Sequence, residues 1–273
     1  MPYSVAFFGA TGGCTNACLA SLLLFSEYQA IALARTPQKL LDSLKKQPGI
    51  TDAILAQRLS IVKGDATNVA DVKRTLLFQA DDNKNSNAEP KLVDAIVSGI
   101  GAYPQRKKGT WLTFEMDNRN ITEQSTTALV SAMQEIRAQQ QQQQEHKPVV
   151  TVISTTGLAI PAGSKEDVPF GLQTLYHSLL AEPHKDKKRM EEIISENAAL
   201  FQGVIITRPT LLNGDGIVKV DGVRKTVRAG TEDAPAKGYL ISRSDVGGWI
   251  WENVLKPTEH GKKWYGRRVS LAY

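Results

Sequence analysis

Short apolar runs alternate along this chain with stretches whose apolar residues recur at helical spacing. That alternation predicts βαβ units and a parallel sheet covered on both faces. Ser4 to Phe8, Ala30 to Ala34, Leu59 to Val62, Leu92 to Val97, Val149 to Ser154 and Val204 to Thr207 read as strands. Leu19, Leu22 and Leu23 mark the inner face of a first helix. Thr36 and Pro37 start a second helix, which Pro48-Gly49 ends, and Asn68 caps a third that carries Val69, Val72, Leu76 and Leu77. A long helix beginning near Asp117 or Asn118 carries Ile121, Leu129, Met133 and Ile136 inward, and another spans Lys187 to Ser195. A short strand at Tyr239 to Ile241, a helix from Ser244 to Leu255 and a closing strand around Val269 to Leu271 complete the pattern.

Between these elements, Asp81 to Pro90 is polar and reads as a loop, and Gln139 to Gln144 is a low-complexity, solvated extension. Asn213 to Lys237, rich in Gly and charge, reads as an excursion on the substrate side. The expected architecture is α/β, a Rossmann-type doubly wound parallel sheet over residues 1–273 as one unit, with a small C-terminal substrate-side region. Segments of about 157–184 and 211–240 are expected to line that side.

Composition narrows the class. Hydrophobic residues make up 41% and charged residues 22%, close to globular averages and far from disorder. The net charge of +5 comes from 33 basic against 28 acidic residues, spread along the chain. Arg106-Lys107-Lys108, Lys185 to Arg189, Lys262-Lys263 and Arg267-Arg268 have no accompanying aromatic motif or reading helix, so nucleic acid is not the expected partner. Cys14 and Cys18, four apart on the first helix, read as packing residues in a reducing compartment. With no basic leader before the first strand and no run of about eighteen apolar residues, a soluble, cytoplasmic protein is expected. Oligomeric state is not legible.

The chemistry is concentrated at strand ends. Gly9-Ala10-Thr11-Gly12-Gly13 follows the first strand and opens the first helix, where glycines let the backbone approach a pyrophosphate met by free helix N–H groups. Gly9, Thr11, Gly12, Gly13, Cys14 and Thr15 are therefore the expected phosphate turn. Thr15 stands where the fingerprint has its third glycine, which is expected to loosen one helix–strand contact. At the end of the second strand, Arg35, with Lys39 one turn on, suits the 2′-phosphate of NADP, where an acidic residue would suit NAD. A solvated Arg35 is the alternative. Asp65 and Ala66 fall where adenine is received, and Ser98, Gly99, Ile100 and Gly101 pass beside the nicotinamide-side ribose and pyrophosphate.

These motifs, with Ala34-Arg35-Thr36-Pro37-Gln38-Lys39-Leu40, Gly64-Asp65, Arg208-Pro209, Asn213-Gly214-Asp215-Gly216 and Ile241-Ser242-Arg243-Ser244-Asp245-Val246, resemble the atypical short-chain dehydrogenases of the NmrA-like, NAD(P)H-binding group. Within it, the averufin-oxidase-like oxidoreductases that tailor fungal polyketides are similar. The resemblance implies an NADPH-dependent oxidoreductase acting on a small hydrophobic or aromatic carbonyl, quinone or activated alkene. The family also holds proteins that only sense NADP, and an isomerase or cyclase fits the same fold.

In active short-chain dehydrogenases a Ser polarises the substrate carbonyl, a Tyr donates a proton and a Lys four residues on tunes the Tyr. Ser154 matches the Ser position. The Tyr-x-x-x-Lys is broken, since the fourth residue after Tyr176 is Leu180. The resemblance and the register of Met190 with Ile194 point to Lys187 as the substitute, orienting ribose and assisting proton transfer with Tyr176; a solvated basic first turn is the alternative. Ser154 and Lys187 thus serve cofactor and catalysis together. His177 and His184 lack further ligands at suitable spacing, so no metal is expected.

Overall fold

The computed structural model describes residues 3–78, 90–102, 104–106, 114–116, 118–139, 146–158, 165–169, 181–219, 226–256 and 259–273. Tyr176, His177 and the Asp81–Glu89 part of the polar loop lie outside them.

The central sheet has eight strands. They are β1 (Ser4–Phe8), β2 (Gln29–Ala34), β3 (Leu59–Lys63), β6 (Ala95–Ser98), β9 (Val149–Ile153), β10 (Gly203–Pro209), β12 (Arg228–Gly230) and β14 (Arg267–Ala272). In space the order is β12-β14-β10-β9-β6-β1-β2-β3. Every pairing is parallel except β12 with β14. The order reverses beside β1, which is flanked by β2 and β6, and that reversal opens a crevice above the carboxyl ends of the two strands.

Strands buried on both faces favour apolar residues at nearly every position, which is why β1, β9 and β10 read as near-continuous apolar runs, with the buried Thr151 and Thr207 hydroxyls paired to each other at 3.1 Å. One face is covered by α1 (Gly13–Phe25), α2 (Pro37–Leu44) and α7 (Arg243–Ile250), whose Leu19, Leu23, Leu40 and Val246 join Val5, Phe7 and Ile205. The other is covered by α4 (Val69–Leu76), α5 (Ile121–Gln139) and α6 (Ala181–Glu196), whose Val72, Met133, Met190 and Ile194 join Phe8, Ile96 and Val152.

Several expectations are corrected. The run Leu92 to Val97 breaks at Asp94, whose carboxylate accepts from the Ser4 N–H (2.8 Å) and hydroxyl (3.0 Å). Leu92 instead belongs to β5 (Lys91–Leu92), paired with β4 (Leu77–Phe78). An additional short helix, α3 (Asp52–Arg58), escapes periodicity because Leu55 is its one buried residue; Thr51 caps it by accepting from the Ile54 N–H. The final helix loosens to π geometry over Trp251–Leu255. The expected excursion contains the edge strand β12, and the wider segment 211–240 opens on β11 (Leu211–Asn213), which pairs with β13 (Leu240–Ser242). A hairpin, β7 (Pro104–Arg106) with β8 (Phe114–Met116), precedes α5.

Helix α6 starts at Ala181, not near Lys187, so the basic cluster lies past the first turn and carries little of the dipole penalty its sequence position implied. Both cysteines are free and buried, and among the described residues no helix is long and apolar enough to cross a membrane.

Candidate functional site

At the carboxyl ends of β1, β2, β3 and β6 lies a cleft of about 370 Å³, lined by Gly9, Ala10, Thr11, Leu33 to Thr36, Lys39, Gly64 to Ala66, Gly99 to Gly101 and Ile121. Of the expected cofactor residues it brings together Gly9, Thr11, Arg35, Lys39, Asp65, Ala66, Gly99, Ile100 and Gly101. Gly12, Gly13, Cys14, Thr15, Ser98, Ser154 and Lys187 do not line it.

The turn needs its glycines for stated reasons. Gly9 has φ +77°, and a Cβ there would stand 2.8 Å from the Gly99 carbonyl group. The Gly12 N–H closes the turn onto the Gly9 carbonyl at 2.8 Å. A Cβ on Gly13 would meet Arg243 Cδ at 2.5 Å. Gly216, at φ +84°, packs its backbone on the Gly13 carbonyl from above. Asn16 ties the turn down through the Ala10 carbonyl (2.9 Å) and accepts from Gln47 Nε2 (2.8 Å), which also reaches the Gly216 carbonyl (3.0 Å). Asn16, Gln47 and Arg243 carried no role in the sequence reading, because their partners are remote in the chain.

Thr15 does not loosen the helix–strand contact. A Cβ on Gly99 would lie 2.0 Å from Thr15 Oγ1, so the threonine fills the space that Gly99 leaves on β6's exit. The close approach survives with its glycine moved to the strand side. Gly99→Ala is therefore expected to cost about 1–3 kcal/mol by overpacking, and Thr15→Ala to restore most of it. Denaturant unfolding of the two single variants and the double variant checks this; a Gly99→Ala cost that persists in the Thr15→Ala background contradicts it.

Electrostatically the cleft suits a long anion. Helices α3, α4 and α7 have their first N–H groups met by Thr51, Asn68 and Ser242, whereas Gly12 at α1 provides no side-chain cap and no acidic residue follows in the first turn. Arg35 and Lys39 border the far side. Asp65 is held below the usual carboxylate range by the N–H of Thr67 (2.9 Å), then by its hydroxyl (2.8 Å), with Arg35 adding to the effect. Asp71, which accepts from the Asp65 N–H at 2.8 Å, fixes that corner. A dinucleotide phosphate turn fits these residues: Gly9 admits no Cβ, and the α1 terminus carries neither a side-chain cap nor an acidic residue in its first turn.

Helix α6 is tied to the cleft through Ile100, one of its lining residues. Lys187 Nζ donates to the Ile100 carbonyl (2.9 Å) and the Ile153 carbonyl (2.7 Å), bridging the ends of β6 and β9. Desolvation pushes its ammonium down to about 8, against the opposing pull of Asp186, Glu191 and the Cys14 thiol. Burial pushes Cys14 itself up to about 12. Asp186 ties α6 to the start of α5 by accepting from the Thr122 (3.0 Å) and Glu123 (2.8 Å) N–H groups.

Ser154 stands just past β9. It donates to Glu191 Oε1 at 2.6 Å. Glu191 is forked by Arg208, through Nε (2.9 Å) and Nη2 (2.6 Å), and also accepts from Arg268 Nε (3.1 Å). Arg208 continues to Asp167 Oδ2 at 3.3 Å, and Asp167 Oδ1 accepts from the Gly157 N–H at 2.8 Å. With side chains only 4% exposed, Arg208, Glu191 and Asp167 form a closed ionic hub joining β9, β10, α6 and the segment after Gly157. Among the described residues no cluster of His, Cys, Asp and Glu could hold a metal.

No protein-family profile matches the chain. It is 41% identical over 282 residues to the oxidase pynE of Aspergillus niger, covering 98% of each. It is 36% identical over 276 residues to the reductase pytE of Aspergillus terreus, covering 99% of this chain and 98% of that one. Among solved structures it resembles a short-chain dehydrogenase/reductase of Veillonella parvula in complex with NADP, at TM-score 0.65 and 14% identity, covering 100% of this chain and 95% of that one.

Proposed function

The chain belongs to the atypical short-chain dehydrogenase/reductase family, and from that premise we propose that it is an NADPH-dependent oxidoreductase acting on a small hydrophobic, aromatic molecule. The reacting group on this reading is a carbonyl, quinone or activated alkene, and the setting is secondary metabolism. The observation that carries it is the cleft that brings a glycine turn together with two cations, Arg35 and Lys39, and with Ile100, whose carbonyl accepts from Lys187. The oxidase and reductase names of the two fungal relatives and the NADP held by the Veillonella protein support it.

The bound nicotinamide supplies the hydride, leaving the protein to bind, orient and provide a proton. The α1 terminus and the Gly9–Gly13 turn hold the pyrophosphate, Arg35 and Lys39 the 2′-phosphate, and Asp65 and Ala66 the adenine. Lys187 spans the ribose end and keeps one N–H for the reacting oxygen. Residues 1–273 act as one NAD(P)-binding unit, with 157–184 and 211–240 as its substrate side.

Incubation with NADPH and a panel of quinones and polyketide ketones tests the reaction; tight NADPH binding without turnover on any of them would overturn it. Arg35→Ala tests the cofactor. It is expected to weaken NADPH about tenfold and NADH hardly at all, one charged phosphate contact corresponding to about 1.4 kcal/mol. Fluorescence titration of both dinucleotides reads the ratio, and equal losses for the two would contradict the 2′-phosphate assignment.

A further inference from the structure

The 213–218 segment, which runs on from the end of β11, is seated on the phosphate turn. Gly216, at φ +84°, presses its backbone on Gly13 so closely that a Cβ there would stand 2.7 Å from the Gly13 Cα. Arg243, at the first position of α7, lays its stem against Gly13 and donates from Nη1 to the Gly214 carbonyl at 2.6 Å.

Two buried amides complete the joint, Asn16 on α1 and Gln47 just past α2. Asn16 Nδ2 donates to the Ala10 carbonyl of the turn and to Ser43 Oγ of α2, each at 2.9 Å, and Asn16 Oδ1 accepts from Gln47 Nε2 at 2.8 Å. Gln47 gives its second hydrogen to the Gly216 carbonyl (3.0 Å) and accepts from the Val218 N–H (2.9 Å). All four hydrogens of the two amides are spent. A displaced segment would leave buried amide groups unpaired, so the network holds one geometry. Helix α2 also carries Lys39, a cation that lines the cleft.

We infer that Gln47 is a positioning residue that couples the dinucleotide to the 213–218 segment: an occupied phosphate turn holds the segment seated, and the seated segment holds the turn in its binding shape. The inference rests on the reading above that the turn takes the pyrophosphate, and it adds a route from the cofactor to the substrate side. Such coupling is reciprocal. Whatever factor NADP+ adds to the seating of the segment, loss of that seat removes from NADP+ affinity. The pyrophosphate is the part that meets the turn, so 2′-AMP, which carries the adenine and the extra phosphate without it, should leave the segment unchanged.

Hydrogen exchange of the intact protein, read by mass spectrometry on peptides that contain Val218, follows the bond to Gln47. Saturating NADP+ is expected to slow exchange there by about tenfold or more, and saturating 2′-AMP by less than about twofold. Gln47→Met keeps the length of the side chain and loses all three bonds. It is expected to lose the NADP+ protection and to bind NADP+ about tenfold more weakly in a fluorescence titration, with exchange along α5 unchanged. Exchange at Val218 that is the same with and without bound NADP+, equal protection by 2′-AMP, or a Gln47→Met variant that keeps the protection overturns the inference. A rise along α5 equal to that at Val218 would mark general loosening and overturn the positioning role. The wild-type comparison decides even where the variant does not fold. A wild type that binds no NADP+ would instead overturn the cofactor reading, so the two failures are told apart.

Discussion

Replacing Lys187 with methionine is expected to lower kcat by about a hundredfold to ten-thousandfold, the contribution of a positioned general acid. Methionine keeps much of the apolar stem and loses every donor. The two carbonyls that Lys187 bridges, Ile100 and Ile153, lose their donor at a desolvated place, so a stability loss of about 1–3 kcal/mol should accompany the loss of turnover, and thermal unfolding of the same variant separates the two. The pH profile offers a second readout. Desolvation holds the Lys187 ammonium down at about 8, so reduction, which needs the protonated form, should decline as pH rises through that value. The direction is fixed by the sign: burial disfavours the cation, moving deprotonation down from the ordinary lysine range into that of an assay. A kcat still level well above pH 8, or a Lys187→Met variant with wild-type turnover, would contradict a proton-donating role.

Replacing Glu191 with leucine should produce the largest loss of stability. Arg208 would keep its charge in a site where its side chain is 4% exposed, with Asp167 at 3.3 Å as its remaining partner, and Arg268 would lose a partner as well. Removing one member of a buried ion pair costs about 3–5 kcal/mol, since the other is stranded without water. For a chain of this size that is a fall in Tm of roughly 6–20 °C. Glu191→Gln, which retains an acceptor, should cost less. Because the pair is shielded from solvent, added salt should change the difference little. Thermal unfolding of the wild type and both variants checks the order, and a Glu191→Leu variant as stable as the wild type would show that the hub contributes nothing net.

What could be read from the sequence follows the range of the forces involved. The strands of the parallel sheet are near-continuous apolar runs because burial on both faces demands it, and that demand is local to each strand. The glycine turn is equally local. Asp94 breaks a run of apolar letters because it meets Ser4, ninety positions away. Likewise the Thr15–Gly99 exchange places the missing glycine on another element, and no spacing rule connects the two. Arg208-Pro209 is visible as a motif, yet its meaning depends on Glu191, Asp167 and Arg268, which reach it from separate segments. Ser154 could be placed by pattern, but the direction of its hydroxyl hydrogen is set by that same hub. Elements and the glycine turn are legible in the sequence; the hydrogen bonding of Ser154 and Lys187 is not, because it is decided by contacts among residues far apart in the chain.

The central claim is that one cleft holds NADP with Lys187 at its reacting end. Its most direct test is acylation of Lys187 by a small anhydride at pH 8, quantified by peptide mass spectrometry with and without dinucleotide. Saturating NADP+ is expected to slow modification of Lys187 by about tenfold or more and to protect Lys39 as well, and NAD+ at the same concentration to slow both far less, while exposed lysines away from the cleft react alike in all three samples. Modification of Lys187 at one rate whether or not NADP+ is present would contradict the account.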